Sequence, residues 1–107
     1  GDGTTAHLLL QGGESTELEL PRSAAESVRY TVIAEEEAEL RLESTSEEGR
    51  EQVASLVDGS ELSIVRRNGA IAYSIDGGEK RLSSGSLILL NPEGSPAAEL
   101  RQRRINR

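Results

Sequence analysis

From Glu61 to Asp76 the chain reads ELSIVRRNGAIAYSID, and its polar and apolar positions fit a single arrangement. Asn68-Gly69 suits a two-residue type I′ turn, because both residues tolerate positive φ. A turn there sets Arg67 opposite Ala70, and Leu62, Ile64 and Arg66 opposite Ile75, Tyr73 and Ile71. The apolar side chains of both strands then share one face, while Ser63 and Val65 meet Ser74 and Ala72 on the other. A slip by one residue would scatter both sets. The same two-residue period recurs in Ala6, Leu8 and Leu10, which alternate with Thr5, His7 and Leu9. Leu18 and Leu20 alternate with Glu17 and Glu19 until Pro21, and Val28, Tyr30, Val32 and Ala34 form one face of the next run. Ala38, Leu40 and Leu42 lie between Glu37, Glu39, Arg41 and Glu43, as in a half-buried antiparallel strand. SLILL (86–90) is apolar on both faces, so that strand is expected to be central or to meet a partner.

Gly12-Gly13, Glu35-Glu36, Asp58-Gly59, Gly77-Gly78, Ser83-Ser84-Gly85 and Asn91–Gly94 punctuate these runs. Short strands between frequent turns predict an all-β fold, an antiparallel β-sandwich or jelly-roll-like small barrel of about eight strands. One stretch is ambiguous. In TSEEGREQVASLVDG, Thr45 and Glu48 can make a capping box and Val53, Leu56 and Val57 share a helical face. Gly49 opposes the helix, and a loop followed by a strand is the other reading. ELEL at 17, ELRL at 39 and ELSI at 61 recur at a spacing of 22, as in a solenoid. The Asn-Gly hairpin argues for antiparallel pairing instead, and the spacing is read as a coincidence of strand and turn lengths.

The chain has 107 residues, the size of one domain, enough to fold without a metal or disulfides. With no Cys, thiolate metal sites and cysteine nucleophiles are excluded. No apolar run approaches the roughly 20 residues of a membrane helix. The chain reads as a soluble, complete unit with no membrane partner, and a Gly1 start suggests a processed end. A net charge of −7, with every acid except Asp2, Asp58 and Asp76 a Glu, opposes nucleic-acid binding and favours solubility. Cys, Met, Trp and Phe are absent, and Tyr30 and Tyr73 are the two aromatics, so the core must be aliphatic. Lys80 stands alone among the basic residues, all others being Arg. Two origins fit this composition: a GC-rich genome, or a designed sequence.

Candidate chemistry is sparse. His7 is the single histidine and cannot build a multi-histidine metal site unless a symmetric oligomer gathers copies around an axis. Asp58-Gly-Ser-Glu61 and Asp76-Gly-Gly-Glu79 offer carboxylates near glycine, a pattern that calcium sites share with ordinary turns. Arg101, Arg103, Arg104 and Arg107 make a basic C-terminal segment that suits an anion, an acidic partner or a protected strand edge. Glu35, Glu36, Glu37 and the acids through Glu51 read as solvated turns, since acid–base work needs a desolvated cleft. Neither GxGxxG, GxxxxGK[ST] nor GxSxG occurs.

ELSIVRRNGAIAYSIDGGEKRLSSGSLILLNPEGSPA, from Glu61 to Ala97, resembles the cupin barrel, particularly the sensing domains of AraC-type regulators. Gly85, Pro92 and Gly94 match that family's second motif, whose histidine falls at Ala97; the first motif's histidines fall near Ser55 and Val57, and Glu61 alone matches a ligand. The resemblance implies a barrel without its metal. Over more of the chain, TAHLLLQGGESTELELPRSAAESVRYTVIA, VASLVDG, AIAYSI, GSLILL and AELRQRRI resemble a β-sandwich domain of phage tail-fibre and other virion proteins. That likeness implies a structural role, often in a trimer, with a virion location.

The expectation is therefore a non-enzymatic structural β-sandwich, either designed without an evolved activity or of the tail-fibre kind. No catalytic, cofactor-binding or metal-binding residue and no cofactor is assigned, and self-association is the expected partnership. The alternative is a cupin-like module that binds a small ligand without metal. Arg66 on an apolar hairpin face and the two apolar faces of SLILL suggest an interface.

Overall fold

The computed structural model describes residues 3–82 and 84–106. Every described residue is strand, turn, bend or irregular, with no helix among them. Ten strands follow in order: β1 (Gly3–Leu10), β2 (Ser15–Glu17), β3 (Glu26–Ile33), β4 (Leu40–Ser46), β5 (Gly49–Leu56), β6 (Glu61–Arg67), β7 (Ala70–Ile75), β8 (Gly78–Leu82), β9 (Ser86–Leu90) and β10 (Ala98–Asn106). They form two antiparallel sheets, β1-β10-β3-β6-β7-β8 and β2-β9-β4-β5, packed face to face as a sandwich. Most connections cross between sheets; the β4–β5, β6–β7 and β7–β8 hairpins stay within one.

The alternating pattern supplies the core. From the smaller sheet Leu40, Leu42, Leu56, Leu87 and Leu89 are sealed from solvent; the larger sheet presents Val28, Val32, Leu62, Ile64 and Leu100. Each such side chain contributes about 1.5–3 kcal/mol on full burial. With no Trp or Phe, Tyr30 and Tyr73 are the large rings in that layer, and both are buried.

The β6–β7 hairpin has the predicted register, with Leu62 opposite Ile75, Ile64 opposite Tyr73 and Arg67 opposite Ala70. Asn68 and Gly69 have φ of 53° and 80°, as a type I′ turn requires. SLILL is β9, a central strand between β2 and β4, with Leu87 and Leu89 in the core and Ile88 and Leu90 half-buried outside. All pairing is antiparallel, so the 22-residue recurrence marks no solenoid.

Other expectations are corrected. The strand count rises from about eight to ten through β5 and β8. Of the two readings of residues 45–59, the strand holds and the helix does not: β4 and β5 form a hairpin in which Ser46 faces Gly49. Thr45 caps nothing; its Oγ1 accepts from the N–H of Ser86 at 3.0 Å and ties β4 to β9. Leu18 and Leu20 lie beyond the end of β2 in an irregular segment that still buries Leu18. A bulge at Val53 breaks the β4–β5 register, and the carbonyl of Val53 accepts a hydrogen bond from Lys80 Nζ of β8 at 3.0 Å. The single lysine thus joins the two sheets across one margin of the sandwich.

Candidate functional site

At one end of the sandwich the inner face of the larger sheet turns polar. Arg104 of β10 and Glu26 of β3 lie near one another on that face, since Arg104 pairs with Val28 and Asn106 with Glu26. The Arg104 guanidinium donates to Glu26 Oε1, to Glu19 Oε2 at 2.9 Å and to the Leu20 carbonyl at 3.5 Å. Gln102 Nε2 donates to the same Glu19 oxygen at 2.6 Å, and the Tyr30 hydroxyl accepts from the Glu19 N–H at 2.8 Å. Glu26 Oε1 also accepts from the Arg22 N–H at 2.9 Å. Arg66 donates through Nε to the Pro21 carbonyl at 2.6 Å. These contacts hold segment 18–22 over the sheet, with Leu18 and Pro21 buried beneath it.

The electrostatics follow from these partners. The Arg22 N–H and the Arg104 guanidinium hold the Glu26 carboxyl below its ordinary range against the opposing effect of desolvation. Gln102 and Arg104 do the same for Glu19. Burial lowers the proton affinity of Arg104, but its hydrogen bonds to both carboxylates raise it by more, so the cation is kept. Burial raises the Tyr30 phenol. Each group is locked in its charged or neutral form at neutral pH, and none is poised to exchange a proton there.

Two grooves flank the sandwich. One, of ≈ 290 Å³, runs between β1 and residues 16–19, with Ala6, Leu8, Tyr30, Glu19 and Gln102 in its wall. The other, also ≈ 290 Å³, lies at the opposite margin beside Ala54, Tyr73, Ile75 and Lys80. A wider hollow of ≈ 660 Å³ opens at the tip of the β4–β5 hairpin beside Glu47, Glu48 and Gly85.

The residues singled out in the sequence do not converge. His7 is exposed on the outer face of β1, with Nδ1 2.6 Å from Glu99 Oε1. Asp58 accepts from the Ala34 N–H at 3.0 Å and Glu61 pairs with Arg29 at 3.2 Å, two separate structural roles. Asp76, at φ 51°, is the first residue of the β7–β8 turn, and Glu79 pairs with Arg67 at 3.1 Å. Glu35, Glu36, Glu37 and Glu51 are exposed. Ser55, Val57, Glu61 and Ala97, the positions aligned with cupin ligands, are all exposed: Ser55 lies in β5, Val57 just after it, Glu61 in β6 and Ala97 just before β10. Among the described residues no three of His, Cys, Asp and Glu come together as metal ligands would. Of the C-terminal arginines, Arg104 turns inward, Arg101 and Arg103 lie on the outer face, and Arg107 falls outside the described residues. Arg66 is half-buried and its Nε is used on the Pro21 carbonyl.

Sequence reasoning missed Asn91 and the pairing of Glu26 with Arg104. Asn91 reads as a turn residue, yet it is completely buried. Glu26 opens an apolar strand; its burial depends on Arg104, far away in sequence.

No family model matches the chain, and no curated protein matches it significantly. Among solved structures it is similar to wild-type fructosyltransferase from A. japonicus, with a TM-score of 0.51 and 10% identity over 97% of this chain and 26% of that one. A second A. japonicus structure, CB05, gives 0.49 at the same identity and coverage. The chain spans about a quarter of the length of these proteins, and at this identity the first likeness is one of fold alone.

Proposed function

We propose that the chain is a non-enzymatic structural β-sandwich of jelly-roll topology. The strand order supports the topology: β1-β10-β3-β6 and β2-β9-β4-β5 have the alternation of two four-stranded jelly-roll sheets, with the β7–β8 hairpin added at one edge. Fold alone does not assign function. What carries the reading is the use made of one cluster of buried and half-buried polar side chains: Glu26, Tyr30, Arg66, Gln102 and Arg104 all hold segment 18–22. An active site of the usual kind leaves such groups free to meet a ligand, whereas here Tyr30 and Gln102, which also line the β1 groove, are both bonded to Glu19.

The cupin-like alternative shares the jelly-roll order but asks for a cavity between the sheets. Leucine-on-aliphatic packing across that space supports the structural reading over it, and the grooves lie at the margins. The test is a thermal-shift and calorimetric panel of small sugars, fructo-oligosaccharides, organic acids and divalent cations, with a parallel hydrolase assay. No saturable rise in melting temperature and no turnover is expected. A rise that grows with ligand concentration, abolished by Tyr30→Phe or Gln102→Ala in the β1 groove, would overturn the proposal in favour of a binding module.

A further inference from the structure

The four sheet edges differ in how they are guarded against another strand. β2 has three residues. β5 carries Arg50 and Glu51 and is bent by the Val53 bulge. β8 is short and holds Glu79, Lys80 and Arg81 in succession. Short length, charge and bulges are the usual defences of an edge. β1 has none of them: GTTAHLLL is eight residues long, regular along its whole pairing with β10, and free of carboxylate, ammonium, guanidinium and proline. Among the described residues no strand lies beside its outer edge.

The side chains of β1 are equally unguarded. Leu8 on the inner face is 43% exposed and Leu9 on the outer face is 56% exposed. Leu8 lines the open groove between β1 and residues 16–19. The neighbouring β10 sets Arg101 opposite His7 and Arg103 opposite Thr5, which offsets locally the acidic charge that drives two copies apart elsewhere.

We infer that β1 is the site at which a second copy of this chain adds by antiparallel strand pairing, giving a two-fold dimer with one continuous sheet of twelve strands. In an antiparallel ladder alternate residues turn both N–H and C=O outward, and that pattern is complementary to its own copy. A two-fold axis normal to the sheet keeps both smaller sheets on one side and requires registers that pair odd with odd and even with even residues. Leu8 of each copy then covers the inner margin of the seam and Leu9 the outer. This goes beyond the structural reading above and holds or fails whether or not a ligand binds.

The test is sedimentation velocity of the full chain over roughly 1–500 µM, a range that brackets the affinities of small interfaces. A monomer–dimer equilibrium is expected, with Leu9→Lys and Leu8→Lys each weakening it about tenfold or more at unchanged circular dichroism. Val57→Lys is the matched control, because Val57 is 49% exposed in the connection after β5, and it should leave the equilibrium within about twofold. Hydrogen exchange on the unmodified chain gives an answer without variants: protection of β1 amides should rise with concentration. A monomer throughout, a trimer, a dimer indifferent to Leu9→Lys, or β1 exchange independent of concentration would overturn the inference.

Discussion

At the scale of single residues, Asn91 does more than any other uncharged polar side chain to join separate parts of the chain. Its Nδ2 donates to the carbonyls of Leu10 at 3.1 Å and Pro96 at 2.9 Å, while its backbone exchanges hydrogen bonds with Glu14 and Gly13. The end of β1, the end of the 92–97 turn and the loop before β2 therefore meet at one residue. Two carbonyl acceptors fix which side of that amide carries the nitrogen. Its Oδ1 has no partner among the described residues, so the interaction is already imperfect, yet removal leaves two buried carbonyls unpaired. Asn91→Ala should lower stability by about 2–3 kcal/mol, read as an earlier urea midpoint with an unchanged slope. Asn91→Asp should cost more, because a carboxylate would face those carbonyls. Gly85 is comparably constrained by shape: at φ 90° a Cβ there would lie 1.6 Å from the Thr45 carbonyl oxygen. Sequence reading marks both positions as turn residues, which they are, but close approach to another strand leaves no trace in local pattern.

At the scale of elements, legibility depended on where each signal was stored. The β6–β7 hairpin was readable in full, since turn chemistry and side-chain period both lie within sixteen consecutive residues. β8 was not, because GEKRL is an edge strand with its charges in solvent and shows neither alternation nor apolar content. The β4–β5 hairpin was obscured by a sequence that also satisfies helical spacing; pairing with β9, 41 residues away at Thr45 and Ser86, decided it. The candidate site was least legible, since Glu26, Arg66 and Arg104 meet only after three strands align. β1 shows the limit most directly. Its alternation matches that of β4, but Leu40 and Leu42 are sealed while Leu8 and Leu9 are exposed. Period reports faces, not what covers them. In dilute, monomeric solution Leu40→Ala should therefore cost about 2–5 kcal/mol, and Leu9→Ala less than about 0.5 kcal/mol. Equal losses in a chemical denaturation series would contradict the observed difference between the two strands.

At the scale of the molecule, pH acts through two opposed effects. The chain carries a net charge of −7, so mild acidification relieves repulsion among exposed glutamates and favours the compact state. Glu19 and Glu26 act the other way. Both carboxyls are held below their ordinary range in the folded protein, by Gln102 and Arg104 for Glu19 and by the Arg22 N–H and Arg104 for Glu26. A depressed folded pKa gives stability that is fully present above the unfolded value, about 4.3 for Glu, and is lost as pH falls through the folded value. Stability should thus hold or rise slightly from neutrality to about pH 5 and then drop steeply below about pH 4. As the second carboxylate is protonated, Arg104 loses its partners and segment 18–22 its anchor. The check is a series of urea midpoints from acid to neutral pH for the unmodified chain and for Glu26→Gln. The variant should be less stable at pH 7 and show a shallower acid limb, because one of the two linked protons is gone. Parallel acid limbs would mean that the loss resides in the exposed glutamates and not in the Arg104 cluster.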